Sequence, residues 1–528
     1  MTPTLLSSTI PAQLTASAAR HGERIAIEDE GVSLTWRELH RQAGQASRAF
    51  MALGVELGER VAIWAPNIHE WIIAALGAQG AGAVLVPVST RMKGLEAADV
   101  LTQSDARVLV TIGDFLGNYF PDLLDGPELP RLAAMVVLRS ARPGAMDWAG
   151  FLALGSKVSE DQLAARQARI KPGSLSDVLY TSGTTGRPKG VMTTHGQNLR
   201  AFEIWTDVLG MKENDRYLVV NPFFHSAGYK AGWLAALIRG AMILPHQVFD
   251  AEQILARIAN ERISFLLGPP TLFLTLLAHP RAKEFDLTSL RVAVTGAASV
   301  PPVLVRRMRE ELGFRIVVTA YGLTESCGFA TICNPEDDAE TIATTCGHAI
   351  PGVEVRCADP QGRTVAPGDS GEVLIRGFNV MQGYLDNPGA TREAIDDDGW
   401  LHTGDVGAMD ERGYLRITDR LKDMYIVGGF NCYPAEIERL ASSHPAIAQV
   451  AVLGVADERL GEVGRAFIVL RAEAQLNCAD FISWCRQNMA NYKVPRYVDV
   501  VPALPLNAAG KVNKLELKAV PFPAATPR

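Results

Sequence analysis

The sequence predicts an α/β protein: a large N-terminal domain of doubly wound sheets plus a β-rich subdomain, followed by a small α+β C-terminal domain. Three observations predict it. Between about residues 170 and 325, short apolar runs alternate with amphipathic ones, as in strands alternating with helices. Residues 30–115 repeat that rhythm, so two related α/β layers are expected. After about residue 345 the chain turns to short strand-like runs divided by Gly, Pro and Asp, and after about 420 to a strand–helix mixture. The expected boundaries are 1–419 for the N-terminal domain, with its β-rich part at about 345–419, and 420–528 for the C-terminal domain, a usual domain size.

Each element has its own local reason. "WIIAALGAQGAGAVLVPV" (71–88) is uncharged and long enough to span a bilayer. Its glycines and Pro87 favour a buried helix from Trp71 to Gly80, a glycine turn, and a buried strand from Ala83 to Val88. "DVLYTS" and "GVMTTH" read as strands on either side of a Gly/Thr-rich loop, and "QNLRAFEIWTDVL" as the helix that follows. "YLVVN", the helical "AGWLAALIRG" and the strand "AMILP" come next. The strands "ISFLLG" and "RVAVTG" lead into helices "PTLFLTLLAH" and "PPVLVRRMREELG", whose leading prolines suit a first helical turn. "GVEVRCADPQGRTVAPGDSGEVLIRG" is strands and turns. In the last domain "QVAVLGV" and "RAFIVLRA" are strands and "CADFISWCRQNMANY" is a helix.

Composition narrows the function classes. A net charge of −7 provides no basic field for nucleic acid or an anionic membrane. Seven cysteines, an odd count without a C-x-x-C pair, read as free thiols of a reducing cytoplasm. No zinc-ligand spacing occurs among the Cys and His residues. The N-terminus lacks a basic start followed by an apolar core, so neither a signal peptide nor a transmembrane segment is expected. The sequence leaves a homodimer open.

The loop "YTSGTTGRPKG" (180–190) has hydroxyls, glycines and two cations but no acid. Free backbone N–H groups, hydroxyls, Arg187 and Lys189 suit a polyphosphate. The G-x-x-x-x-G-K-[ST] nucleotide loop does not fit, because Arg187 and Pro188 intervene and Gly190 replaces the hydroxyl residue. An ordinary hairpin loop is the competing reading.

The whole string resembles the phosphate-loop signature of the adenylate-forming superfamily, which includes acyl-CoA synthetases, aryl-CoA ligases, luciferases and peptide-synthetase adenylation domains. "YGLTE" (321–325), "GWLHTGD" (399–405), "DRLKDMYIVGGFNCYPAEIE" (419–438) and "PLNAAGKV" (505–512) resemble the family's other motifs, in its order and spacing. The resemblance covers essentially the whole chain. It implies an acyl-CoA ligase: a carboxylate attacks the α-phosphate of ATP, giving acyl-AMP and pyrophosphate, and a thiol then displaces AMP. Bringing an anion to a polyanion demands positioning and charge neutralisation.

The resemblance implies roles residue by residue. Thr181, Ser182, Gly183, Thr184, Thr185, Gly186 and Lys189 cradle the β- and γ-phosphates, and Thr324 lies near the α-phosphate. Glu325 ligates Mg2+, which prefers oxygen ligands. Tyr321 stacks on adenine, Ala298 lies at the nucleotide, Asp405 offers two acceptor oxygens to the ribose hydroxyls, and Arg420 reaches the ribose or phosphate side. Lys511 bridges the carboxylate and the α-phosphate. Lys422 is the hinge about which a mobile C-terminal domain rotates between steps, presenting Gly428, Gly429 and Phe430 to the pantetheine arm of coenzyme A. Absence of a fused carrier domain after Lys511 favours coenzyme A over a carrier protein.

The acyl pocket is expected between residues 221–233, 295–300 and 319–322. It would include His225 as a gate, Ser226, Lys230, Gly296, Ala297 and Gly322. Gly228 and Gly232, spaced i, i+4, are expected to leave room for a bulky acid. Lys230 departs from an apolar lining; it is expected to snorkel to the surface, the alternative being a polar group of the substrate. "NPFFHSAGYKAGW" with "DMYIVGGFN" looks most like ligases of bacterial steroid degradation that activate a bicyclic indanedione propanoate. Medium-chain fatty acids and aryl or cycloalkyl carboxylates are the alternatives. A luciferase-like oxygenase shares the adenylation step, whereas a nucleotide sensor would lose Lys511 or Glu325.

Overall fold

The computed structural model describes residues 5–181, 188–296, 300–420, 423–427, 430–432, 434–457, 460–489, 491–506 and 512–521. The chain forms two compact units, one of residues 1–355 with 375–401 and one of residues 356–374 with 402–528.

The first unit is built on two large sheets. One has nine strands in the order His348–Ala349, Thr331–Ile332, Ile316–Tyr321, Val292–Thr295, Phe265–Leu267, Arg216–Val219, Met242–Pro245, Ile25–Asp29 and Val32–Thr35. Its strands from Ile316–Tyr321 to Ile25–Asp29 run parallel. They are short, apolar and buried on both faces, as a sheet covered by helices on both sides requires. Parallel strands point their carboxyl ends to one edge, where an open α/β sheet offers its binding crevice. Residues 221–226, Gly268, Gly296 and residues 322–325 all follow carboxyl ends along that edge.

The other sheet has eight strands: Gly383–Tyr384, Lys189–Thr194, Leu175–Thr181, Val84–Pro87, Arg60–Trp64, Ala106–Ile112, Ala134–Leu138 and Met146–Asp147. Leu175–Thr181 and Lys189–Thr194 form an antiparallel hairpin grafted onto the parallel strand Val84–Pro87. The uncharged stretch at 71–88 is part of this layer. It forms the buried helix His69–Gly80 and the strand Val84–Pro87. Among the described residues, no helix is long and apolar enough to cross a membrane. Helix His195–Val208 follows the hairpin, started by a reciprocal cap between Thr194 and Gln197. His195 is fully buried and its Nδ1 accepts from the Ile10 amide at 3.3 Å; burial pulls its pKa down to about 4.

The expected helix after residue 226 is irregular. A single turn, Ser226–Gly228, leads into a π-helical segment, Tyr229–Leu234, and then into helix Ala235–Arg239. Gly232 at φ −90°, ψ −105° leaves helical geometry inside that segment. Such wide turns sit preferentially near functional sites.

The second unit contains most of a four-stranded sheet, Val353–Ala358, Gly371–Gly377, Leu401–Met409 and Leu415–Arg420. It also holds a five-stranded sheet of Phe430–Cys432, Tyr425–Val427, Gly461–Leu470, Ile447–Asp457 and Tyr497–Val500. Helices Pro434–Ala441 and Cys478–Asn488 bury Ile437 and Phe481 against that sheet. All seven cysteines are free.

Candidate active site

The hairpin fixes both ends of the Gly/Thr-rich loop. Thr181 pairs with Lys189 and Tyr180 with Gly190, and the Thr181 hydroxyl donates to the Lys189 carbonyl at 3.4 Å. Ser182, Gly183, Thr184, Thr185 and Gly186 lie outside the described residues. Gly190 sits within a strand, where an added Cβ would lie 2.7 Å from Val178 Cγ1. A strand rather than a helix therefore follows this loop, and its close cross-strand packing explains glycine where a nucleotide-binding loop of the helical kind has Ser or Thr.

The short strand Gly383–Tyr384 pairs with Lys189–Thr194 on its outer side. The amides of Gln382 and Leu385 donate to the carbonyls of Met192 and Gly190 at 2.9 and 2.8 Å. This places the Tyr384 ring 5.0 Å from Lys189 Nζ. Among the described residues Lys189 forms no ion pair with a carboxylate, which leaves its ammonium available to an anion.

The Tyr384 hydroxyl donates to Glu325 Oε1 at 2.8 Å. Burial, and then the neighbouring Glu325 charge, push the phenol well above its ordinary pKa, so it remains a neutral donor. The Met381 amide holds the Glu325 carbonyl at 2.8 Å. Buried Asn379 donates to the carbonyls of Ser326 and Phe329 at 3.4 and 3.1 Å, fixing the turn after Glu325. Glu325 Oε2 and the Thr324 hydroxyl have no hydrogen-bond partner among the described residues. These unspent oxygens suit a hard, oxygen-seeking cation. Thr181, Lys189 and Glu325 are thus brought together by Tyr384, which sequence reasoning missed. The only local signal was a Gly-Tyr pair flanked by turn residues.

The acyl segment differs in several respects from expectation. His225 is exposed and caps the turn Ser226–Gly228, with Nδ1 accepting from the Ala227 amide at 3.2 Å. Ser226 is buried, and an added Cβ on Gly328 would lie 3.4 Å from its Cβ. Gly228 does not leave room for a ligand: its Cβ would fall 2.2 Å from the Asn221 carbonyl oxygen and 2.3 Å from that of Pro222. Gly232 would similarly meet Val219 Cγ1 at 2.9 Å, and Gly322 the Phe329 Cα at 2.2 Å. Gly296 packs near the Ala320 carbonyl, 3.3 Å from where a Cβ would stand. Ala297 and Ala298 lie outside the described residues.

Lys230 requires the largest correction. It neither snorkels nor offers its ammonium to a substrate. Its side chain is 0% exposed and pairs at 3.1 Å with the equally buried Asp177. Nζ also donates to Thr193 Oγ1 at 2.9 Å. Ser176, Thr193 and Asn198 donate to the same carboxylate at 2.7, 2.7 and 2.6 Å. Two buried charges survive only when paired and hydrogen-bonded, which this network provides. It joins the hairpin strands and helix His195–Val208 to the π-helical segment.

Another charged cluster in this unit is structural. His69 Nδ1 lies 2.8 Å from Asp29 and 3.2 Å from Glu70, but Arg139 already holds both acids, at 3.3 and 2.9 Å.

In the second unit, Asp405 is buried at the centre of strand Leu401–Met409, in register with Arg420, whose side chain lies outside the described residues. The same holds for the Phe430 side chain and for Lys422, Gly428, Gly429 and Lys511 as whole residues. Leu506 and Val512 pair as an isolated antiparallel bridge. Fully buried Arg465 holds the chain beyond it, donating to the Val520 and Pro521 carbonyls at 2.9 Å each.

Comparison with known proteins decides the family. The profile of AMP-binding enzymes matches residues 14–385, and that of the AMP-binding enzyme C-terminal domain matches residues 436–511. The chain belongs to the AMP-binding enzyme family. A Mycobacterium tuberculosis relative is 50% identical over 97% of this chain and 98% of its own. A Rhodococcus jostii relative is 46% identical with the same shares. Both are 3-[(3aS,4S,7aS)-7a-methyl-1,5-dioxo-octahydro-1H-inden-4-yl]propanoyl:CoA ligases. Among solved structures, the anthranilate CoA ligase AuaEII in complex with anthranoyl-AMP matches with a TM-score of 0.88 at 27% identity, over 97% of each chain. The chain is an AMP-forming acid–thiol ligase with ATP, coenzyme A and a carboxylic acid as substrates. In this AMP-binding enzyme, Tyr384 joins Lys189 and Glu325 beside the hairpin of Leu175–Thr181 and Lys189–Thr194, while the expected acyl segments follow the carboxyl edge of the nine-stranded sheet.

Proposed function

We propose that the acid is a steroid-derived bicyclic propanoate of the hexahydroindanedione type. The observation that supports this is 46–50% identity, over nearly the full length of both partners, to two ligases of such an acid. In the first step the carboxylate oxygen bonds to the α-phosphorus of ATP and the bond to the β-phosphate oxygen breaks, releasing pyrophosphate. In the second, the coenzyme A thiolate attacks the acyl carbonyl, and AMP departs with the electrons of the carbon–oxygen bond.

Thr181 to Lys189 would hold the β- and γ-phosphates, with the available Lys189 ammonium supporting that role. Thr324 would approach the α-phosphate. The free oxygens of Glu325 and Thr324 fit Mg2+, with Glu325 as ligand. When bound, Mg2+ supplies positive charge that offsets the phosphate charges. Tyr321 would stack on adenine, Ala298 would lie beside the nucleotide, Asp405 would hold the ribose hydroxyls, and Arg420 would reach the ribose or phosphate side. Lys511 would bridge the two reacting anions. Lys422 would serve as hinge, Gly428, Gly429 and Phe430 would line the pantetheine path, and His225, exposed at the mouth of its segment, would gate the acid. Its need for ATP and coenzyme A, together with free cysteines, supports a cytoplasmic location.

Mass spectrometry of products from purified protein with ATP, Mg2+ and coenzyme A tests the reading. The acid panel comprises the bicyclic propanoate, octanoate, palmitate, benzoate and cyclohexanecarboxylate. A thioester formed preferentially from the bicyclic acid is expected. Preference for octanoate or an aryl acid would overturn the substrate assignment.

A further inference from the structure

We infer that Tyr384 is a positioning residue for adenylation: its hydroxyl aims Glu325 at the metal–nucleotide while its ring packs against Lys189. This rests on the proposed role of Glu325 and adds a residue that lies outside the five stretches quoted for the family resemblance.

The geometry has three parts. The Tyr384 hydroxyl occupies one carboxylate oxygen of Glu325, Oε1, at 2.8 Å. Oε2 is thereby left as the free oxygen, with its direction fixed by the bond to its twin. The ring of the same residue meets a cation, with Lys189 Nζ 5.0 Å from its centroid, while the hydroxyl meets the anion. No ion pair joins Lys189 to Glu325 among the described residues, so neither charge neutralises the other before substrate arrives. Finally, Tyr384 is locked. Its strand pairs with Lys189–Thr194, its own amide donates to Thr391 Oγ1 at 3.0 Å, and the neighbouring Met381 amide grips the Glu325 carbonyl at 2.8 Å. Partners that orient a metal-binding carboxylate commonly govern metal affinity and turnover as strongly as this arrangement requires.

Two substitutions separate the parts. Tyr384→Phe removes only the hydroxyl; Tyr384→Leu also removes the ring. Mn2+ is the probe, titrated by electron paramagnetic resonance into the full-length protein saturated with α,β-methylene-ATP. Tyr384→Phe is expected to weaken Mn2+ binding about tenfold and to lower the pyrophosphate-release kcat about tenfold. KM for the acid, the reaction of pre-formed acyl-AMP with coenzyme A, and Tm should remain near wild type. Tyr384→Leu should add a rise in KM for ATP. If Tyr384→Phe matches wild type in Mn2+ affinity and adenylation while Glu325→Gln loses both, Tyr384 is only packing and the inference fails. If Glu325→Gln itself keeps full Mn2+ affinity, the underlying assignment of Glu325 fails instead.

Discussion

Lys230 shows how much a single side chain depends on what faces it. A lysine with no exposed surface is tolerable only because Asp177 and Thr193 receive it. Removing one member leaves a buried charge alone, which costs about 3–5 kcal/mol. Lys230→Met should therefore lower Tm by several degrees, and the double variant Lys230→Met with Asp177→Asn should recover part of that loss. Thermal unfolding of the four proteins measures this coupling. Since the ammonium is spent within the protein, the ranking of acids by kcat/KM should not change in Lys230→Met. A changed ranking would return Lys230 to the substrate.

At the scale of elements, the turn Ser226–Gly228 is held by backbone rather than by side chains. A Cβ at residue 228 would meet the Asn221 and Pro222 carbonyls, which cannot rotate away. Gly228→Ala should cost about 1–3 kcal/mol by overpacking, and it should shift the segment bearing His225. Initial-rate kinetics would show a reduced kcat/KM for the acid with KM for ATP little changed. Element identity was largely legible in the sequence because it is local: the helix and strand at 71–88, the hairpin around 180–190, and the strand ending at Thr295 follow from runs, turns and glycines. Their partners were less legible. Asp177 and Lys230 are far apart in the chain, and nothing periodic links them. Tyr384 meets Glu325 only because a two-residue strand joins the hairpin. The i, i+4 glycines were misread as open space, since spacing shows a shared face but not what packs on it.

For the whole molecule, the buried His195 couples stability to pH. Its folded pKa is about 4 against an ordinary 6.5, so the unfolded chain binds a proton that the folded chain refuses. Its contribution is complete above pH 6.5 and is lost as pH falls towards 4, amounting to about 3 kcal/mol at most. His195→Asn should flatten the decline of Tm between pH 6.5 and 4.5. The two-step reaction offers a second whole-chain test. Lys511→Ala should suppress pyrophosphate release far more than reaction of pre-formed acyl-AMP with coenzyme A, as rapid-quench assays of each half-reaction would reveal. Equal loss of both would reject the division of labour. The sheets themselves have a further consequence. Each wide sheet ends in at least one two-residue strand, His348–Ala349 in one, Gly383–Tyr384 and Met146–Asp147 in the other. Exposed sheet edges recruit foreign strands, and short edges are a standard defence. At Tyr384 the amide is further occupied by Thr391. At these borders the apolar parallel interior is thus closed off by strands too short to template strand addition.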